Sequence, residues 1–335
     1  MLNIKKFIPC ILTSILCMLS FAGCGEDSSL NANEANDNNS LNRVALIMQG
    51  PISDMAWNAA AYKGLTEIEK LGAEISYQEN ISISSVSDIM SAYASDGYDL
   101  VFLSTNGYED NAMETAPNYP DTQFVLINGS KTTDNVCSIQ IADEDQGFMM
   151  GVISAIASKN GNIGFVGGED IPPIVNGQKG FEQGARFISD NINIQSVLTG
   201  SFFNISSAKE EATNQIKNGA DVVSPICNQA AAGVIEAAEE NGSMSVCSGY
   251  EQKSISQNGG LIAVIKDTSV VYVSAYNKFM SGDLGSDVVK MGAKDGVIYL
   301  SEWFDASSFL TADQKQMVED AFQMLKSGEI EIDLA

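Results

Sequence analysis

Beyond residue 42 the apolar positions fall into short continuous runs, separated by longer stretches in which they recur every three or four residues. Seven runs read as buried strands: Val44–Gly50 (VALIMQG), Asp99–Thr105 (DLVFLST), Gln123–Gly129 (QFVLING), Asn162–Gly168 (NIGFVGG), Asp221–Cys227 (DVVSPIC), Leu261–Asp267 (LIAVIKD) and Val297–Trp303 (VIYLSEW). Weaker candidates are AEISYQEN, VCSIQIA, IQSVLTGSF and SMSVCSGY. Runs apolar on both faces suit parallel strands covered on both sides. Between them lie amphipathic helical stretches at Trp57–Leu71, Ser206–Asn218, Ala230–Asn241 and Ser269–Ser281, each followed by a glycine placed to end it (Gly72, Gly219, Gly242, Gly282). Strands alternating with helices of this length predict an α/β fold with parallel sheets and helices on both faces.

Eleven strand candidates exceed what one such sheet usually takes, so the pattern predicts two sheets, each in a Rossmann-like lobe. The seam falls near Asn135 to Gln146, where VCSIQIA runs into the acidic ADEDQ and then a long helix containing Gly147 and Gly151. Lobe 1 is expected at about 43–140 plus a later returning segment, and lobe 2 at about 141–250 plus part of the C-terminal region. Open parallel sheets bind ligands beyond the carboxyl ends of their strands. Two such lobes around a hinge would share one cleft.

The first 42 residues have a different character. Lys5 and Lys6 precede an uncharged apolar run, Phe7 to Ser20, and Phe21-Ala22-Gly23-Cys24 closes it with small residues. A cationic start, a short apolar centre and a small-residue exit are the marks of a secretory signal peptide, here residues 1–23. The run falls short of the about 20 apolar residues that span a bilayer. Cys24 directly after Ala22-Gly23 resembles the lipobox of bacterial lipoproteins, with Phe21 where leucine is usual. That resemblance implies a lipidated (palmitate-type acyl) Cys24 as mature N-terminus, anchored on the extracytoplasmic face of a cell membrane. Residues 24–42 (CGEDSSLNANEANDNNSLN) are polar and lack apolar periodicity, as a flexible tether would. Two acyl chains anchor stably where one is marginal.

Composition then removes whole classes of function. The chain holds 18 Lys+Arg against 43 Asp+Glu, a formal charge of −25, and so repels nucleic acid. It has no histidine, which excludes a Ser-His-Asp triad and a His-ligated zinc. Cys10 and Cys17 leave with the signal, and Cys137, Cys227 and Cys247 form an odd set without CxxC spacing. They read as buried structural thiols rather than a disulfide framework or metal site. No GxSxG elbow, Walker loop or metal-ligand spacing is present, so no catalytic residue, metal or cofactor is expected.

The candidate chemistry clusters in the loops after strands. In Met48–Glu74, Gly50-Pro51 makes a turn, Asp54 stands near a helix start, and Trp57 and Asn58 occupy its first turn. Asp54 has an ordinary role available as a helix N-terminal charge, and Trp57 as a first core residue. An aromatic and an amide together in a cleft loop also suit a flat heterocycle, one giving a stacking face and the other a donor and an acceptor. Lys266 in the apolar strand LIAVIKD needs a partner, because an unpaired lysine there would be costly. Asp143, Glu144 and Asp145 read as a solvated hinge or helix start. Tyr108, Glu302 and Trp303 follow strands and are placed to reach the cleft.

Gly50–Leu65 (GPISDMAWNAAAYKGL) resembles the Gly-x-x-x-Asp-x-x-(Phe/Trp)-Asn opening of the basic membrane protein/PnrA-like substrate-binding lipoproteins of ABC transporters. Phe165–Ala185 (FVGGEDIPPIVNGQKGFEQGA) is similar to that family's Phe-Val-Gly-Gly-x-x-Ile-Pro…Gly-Phe-x-x-Gly-Ala stretch, and ADEDQGFMMG, GSFF and VIKD fit weaker patterns. The resemblance implies a type I periplasmic-binding fold, a purine nucleoside or related base as ligand, and ABC permease and ATPase subunits as partners. It also implies that Trp57 stacks on the base and Asn58 hydrogen-bonds it. Phe202 falls near the second stacking aromatic, with Phe203 as the register alternative, and Lys266 reaches ribose hydroxyls or their neighbours. Asn228-Gln229 stand where many members have a glycine pair. Gly249 stands where many have a ribose-holding aspartate, which Glu251 would replace if it points into the cleft. Lys266 is then expected to pair with Glu251 or Asp54, or to meet an acceptor on the ligand. Alternatives of other classes are a lipoprotein presenting its ligand to a sensor kinase, and a histidine-free nucleoside hydrolase.

Overall fold

The computed structural model describes residues 42–54 and 57–335. The segments read as signal peptide and tether, Cys24 included, lie outside the described residues apart from Asn42. The elements alternate as the apolar pattern predicts: β1 (Arg43–Ile47), α1 (Trp57–Lys70), β2 (Glu74–Gln78), α2 (Val86–Ser95), β3 (Leu100–Leu103), α3 (Glu109–Thr115), β4 (Gln123–Ile127) and β5 (Val136–Ile141). The chain continues through α4 (Asp143–Ala157), β6 (Asn162–Gly167), α5 (Pro172–Ile188), β7 (Asn193–Leu198), α6 (Ile205–Lys217), β8 (Val222–Ile226), α7 (Ala231–Asn241) and β9 (Met244–Cys247). It ends with β10 (Gly260–Lys266), α8 (Ser269–Ser281), β11 (Val288–Met291), β12 (Ile298–Leu300) and α9 (Ala312–Ser327).

Among the described residues these strands form two six-stranded sheets, ordered β11-β5-β4-β3-β1-β2 and β12-β10-β9-β8-β6-β7. All eleven sequence candidates are strands. The twelfth, β11, escapes the apolar pattern because it is a four-residue edge strand with only Met291 buried. The expectation of parallel pairing throughout is corrected at one place: β12 runs antiparallel to β10, pairing Val264 with Leu300.

Strand alternation divides the first sheet's side chains cleanly. Val44, Leu46, Leu100, Phe102, Val125 and Ile127 join the core that also holds Leu65 of α1 and Tyr272 of α8. Their neighbours Ala45, Ile47, Val101, Leu103, Phe124 and Leu126 pack with Val86, Met90 and Ala112 of α2 and α3. Gly242 and Gly282 end α7 and α8 in the left-handed conformation, which glycine adopts without a Cβ clash. Cys137, Cys227 and Cys247 are buried and unbridged, and burial pushes their thiols up to about 11, 12 and 11, so thiolate chemistry is suppressed.

In the second sheet's layer, α4 is buried on nearly every side and packs backbone to backbone on α5. A Cβ on Gly147 or Gly151 would strike the carbonyls of Gly177 and Phe181, and one on Gly180 or Gly184 those of Glu144 and Phe148. Three chain segments pass between the sheets: Ile141–Asp143 into α4, Lys266–Ser269 into α8, and Met291–Ile298 from β11 to β12.

Candidate functional site

The loops at the carboxyl ends of strands in both sheets line one cleft of about 1780 Å³. That exceeds the roughly 300–1,000 Å³ usual for a small-molecule pocket, so a single heterocycle would occupy part of it.

Trp57, the first residue of α1, lines the cleft half-buried, and its indole Nε1 donates to the Ser104 carbonyl at 2.6 Å, at the end of β3. Asn58 does not line the cleft: it is buried beneath Gly50, where a Cβ would come within 2.6 Å of its Nδ2. The backbones of Asp54 and Glu251 lie in the short turns Ile52–Asp54 and Tyr250–Ile255, but their side chains are outside the described residues.

From the other sheet, Phe202 reaches the cleft in the loop after β7, its ring lying against Gly168 where any Cβ would overlap it. Phe203 points away and is 68% exposed. Asn228 follows β8 in the left-handed conformation (φ 49°) and lines the cleft beside Gln229; the Ala230 amide donates to the Phe202 carbonyl at 3.0 Å and ties the two loops together. Gly249 contributes bare backbone to the wall. Glu302 lines the cleft and pairs with Lys253 at 3.0 Å. Trp303 does not line it and stacks under the Lys315 ammonium at 5.1 Å. Tyr108 is fully buried, its hydroxyl donating to the Ile81 carbonyl, and burial pushes it up to about 12.

Lys266 has a partner, though not one of the two expected. Its Nζ lies 2.6 Å from Asp143 Oδ1, the first residue of α4. The acidic run is therefore not solvated: Asp143 and Glu144 are only 6% and 5% exposed. Glu144 pairs with Lys290 of β11. Asp145 accepts from the Ala293 amide at 2.8 Å. Burial pushes the Asp145 carboxyl up to about 6; the Ala293 amide opposes the rise and neighbouring Glu144 adds to it. Three consecutive acids at the first inter-sheet segment thus hold the other two.

The cleft's remaining lysine, Lys63, bonds Asp267 at 2.8 Å, which raises the lysine's pKa. Burial acts to raise Asp267, but Lys63 and Ser269 outweigh it and hold the carboxyl below its ordinary value. The walls are otherwise rich in amides that sequence reasoning passed over: Asn106, Asn128, Gln140, Gln146, Asn176 and Gln252. Gln146 is buried, donating to Ser248 O at 3.0 Å and Val264 O at 2.8 Å, and Asn128 is left-handed (φ 60°) at the end of β4. For Asn106 and Asn128, which follow β3 and β4, position after a strand was the available signal; Gln140, Gln146 and Asn176 lie within β5, α4 and α5 and carried none. Among the described residues no group of acids and cysteines could hold a metal, and no helix is long and apolar enough to cross a membrane.

Two sheets joined by three segments around a cleft of mixed polar and apolar lining make a bilobal solute-binding architecture. A solved solute-binding protein of an ABC transporter system from Conexibacter woesei superimposes with a TM-score of 0.72 at 19% identity, over 87% of this chain and 98% of that one. The family model of PnrA-like ABC transporter substrate-binding proteins matches residues 41–333, and the chain belongs to that family. A purine-binding protein of Brucella abortus is 24% identical over 292 residues, 86% of this chain and 82% of that protein. Basic membrane protein A of Borreliella burgdorferi is 26% identical over 307 residues, 88% and 86% of the two chains.

Proposed function

We propose that the protein captures a purine nucleoside or nucleobase in the inter-lobe cleft and delivers it to an ABC permease, held at the outer face of the membrane by a lipidated Cys24. The observation that carries the reading is the pair of aromatics on the cleft: Trp57 comes from one lobe and Phe202 from the other. A flat heterocycle between them would gain roughly 1–3 kcal/mol per stacking face. The amide-rich remainder of the wall supplies donors and acceptors for ring edges. The purine-binding relative gives the ligand class independent support. The lipobox sequence around Cys24 supports the anchor.

A thermal-shift screen of purines, pyrimidines and their nucleosides tests the ligand. A tight binder at a thousandfold excess over Kd stabilises by about 4 kcal/mol. The bound compound should be recovered unchanged, and steady conversion into base and sugar would replace transport with hydrolysis. Cys24→Ser should release the protein from the membrane fraction; continued retention would remove the anchor.

A further inference from the structure

We infer that Asp143 is a positioning residue for the ligand: it fixes the Lys266 ammonium on the cleft floor, with donors left over for what binds there. The inference rests on the proposal that Lys266 faces the bound molecule.

The two residues come from different inter-sheet segments, Asp143 where β5 passes into α4 and Lys266 at the end of β10, 123 positions apart. Both line the cleft. The carboxylate is the deeper partner, with 8% of its side chain exposed against 24% for the lysine. Asp143 is itself held still. It sits in the first turn of a fifteen-residue helix, where the helix dipole favours an anion. One turn on, Gln146 bonds the carbonyls of Ser248 and Val264, fixing the start of α4 against β10 only two residues before Lys266.

A lysine ammonium has three donors on a flexible four-carbon stem. Asp143 takes one, and no other bond to Lys266 Nζ is made among the described residues. Without the carboxylate, the stem would have to give up its rotamer freedom at the moment of binding. With it, that ordering precedes binding, and the remaining donors are left for an acceptor on a ring or sugar in the cleft that Lys266 lines.

The test is a double-mutant cycle read by calorimetric titration, with adenine, guanine, adenosine and guanosine as probes and uridine and ribose beside them. Asp143→Asn and Lys266→Met are each expected to weaken binding about tenfold, and the double variant no further than Lys266→Met alone. Losses that multiply in the double variant would overturn the inference, because Asp143 would then act apart from Lys266. If Asp143→Asn does not fold with the lysine left unpaired, Lys266→Met is compared directly with the double variant, and equal affinities are again expected. Asp143→Glu separates charge from shape. A positioning role predicts tighter binding for the longer carboxylate than for the isosteric amide, and the reverse order would mean a packing role and sink the proposal. Binding of uridine or ribose in place of purines would defeat the purine reading, while the same cycle run on that compound would still decide the role of Asp143.

Discussion

The indole nitrogen of Trp57 and the carbonyl oxygen of Ser104 lie 2.6 Å apart, joining the first residue of α1 to the end of β3. The bond fixes the plane of the ring on the cleft wall before any ligand arrives. Trp57→Ala is expected to weaken binding by tenfold or more, since loss of about 1.4 kcal/mol is one decade and a stacking face supplies roughly 1–3. Trp57→Phe, which keeps a face and loses the bond, should fall between. Titration against the best ligand of the screen measures both, and a Trp57→Ala protein that binds with native affinity would make the ring part of the core alone.

The helix pair α4–α5 should be intolerant of a single methyl group. A Cβ at Gly147 or Gly184 meets a backbone carbonyl that cannot step aside. Each change to alanine is expected to destabilise by about 3 kcal/mol or more, at the upper end of overpacking effects. Gly242→Ala is the contrast. Nothing lies within 4 Å of that position, and only its left-handed backbone (φ 67°) resists, at about 1 kcal/mol. Urea denaturation of the three variants gives the order; equal effects would mean that α4 and α5 can slide apart cheaply.

Asp145 predicts a pH signature. Its carboxyl rises from the ordinary 3.8 to about 6 in the folded protein. Below pH 3.8 both states hold the proton. Between there and pH 6 the unfolded chain releases it first, so stability from this group is lost as the pH climbs through about 6. Asp145→Asn keeps an oxygen for the Ala293 amide and carries no charge. The variant should be the more stable protein at pH 7.5, by about 3 kcal/mol, and converge with the wild type below pH 4. Denaturation at pH 4, 5, 6 and 7.5 checks this, and a difference that stays constant with pH would exclude titration of Asp145 as its source.

Gly249 predicts the order of ligands. It lies on the cleft wall with no side chain to offer a sugar, and a ribose whose hydroxyls go unmet adds little affinity. Purine bases are therefore expected to bind at least as tightly as their nucleosides. Calorimetry with matched pairs decides it; a nucleoside a hundredfold tighter than its base would mean that another group, Glu251 foremost, holds the sugar.

Much of the fold is legible in the chain because the buried strands read as apolar runs and α1, α6, α7 and α8 as periodic stretches ended by glycine, whereas α2, α3, α5 and α9 were not picked out. What escaped is set by tertiary context. The strand β11 is mostly exposed and so has no apolar signature, and the direction of β12 depends on where the chain returns from rather than on its residues. At the cleft, Trp57, Phe202 and Lys266 were legible as an aromatic or a cation in loops and strand ends. Asp143, Glu144 and Asp145 do start a helix as read, but were wrongly taken as solvated because three adjacent acids look like solvent-facing sequence. The lysines that make their burial tolerable stand at 266 and 290, beyond the reach of any local pattern. Asn58 was misplaced for the opposite reason: its amide packs under a turn that only the folded backbone creates.

The chain contains two tryptophans. One is on the cleft wall and the other is away from it, beneath Lys315. The molecule therefore carries an optical reporter and an internal reference without any label. If a ring settles against the first indole, as proposed, its emission is expected to change more than that of the second, so ligand arrival and departure could be followed in real time on the unmodified protein.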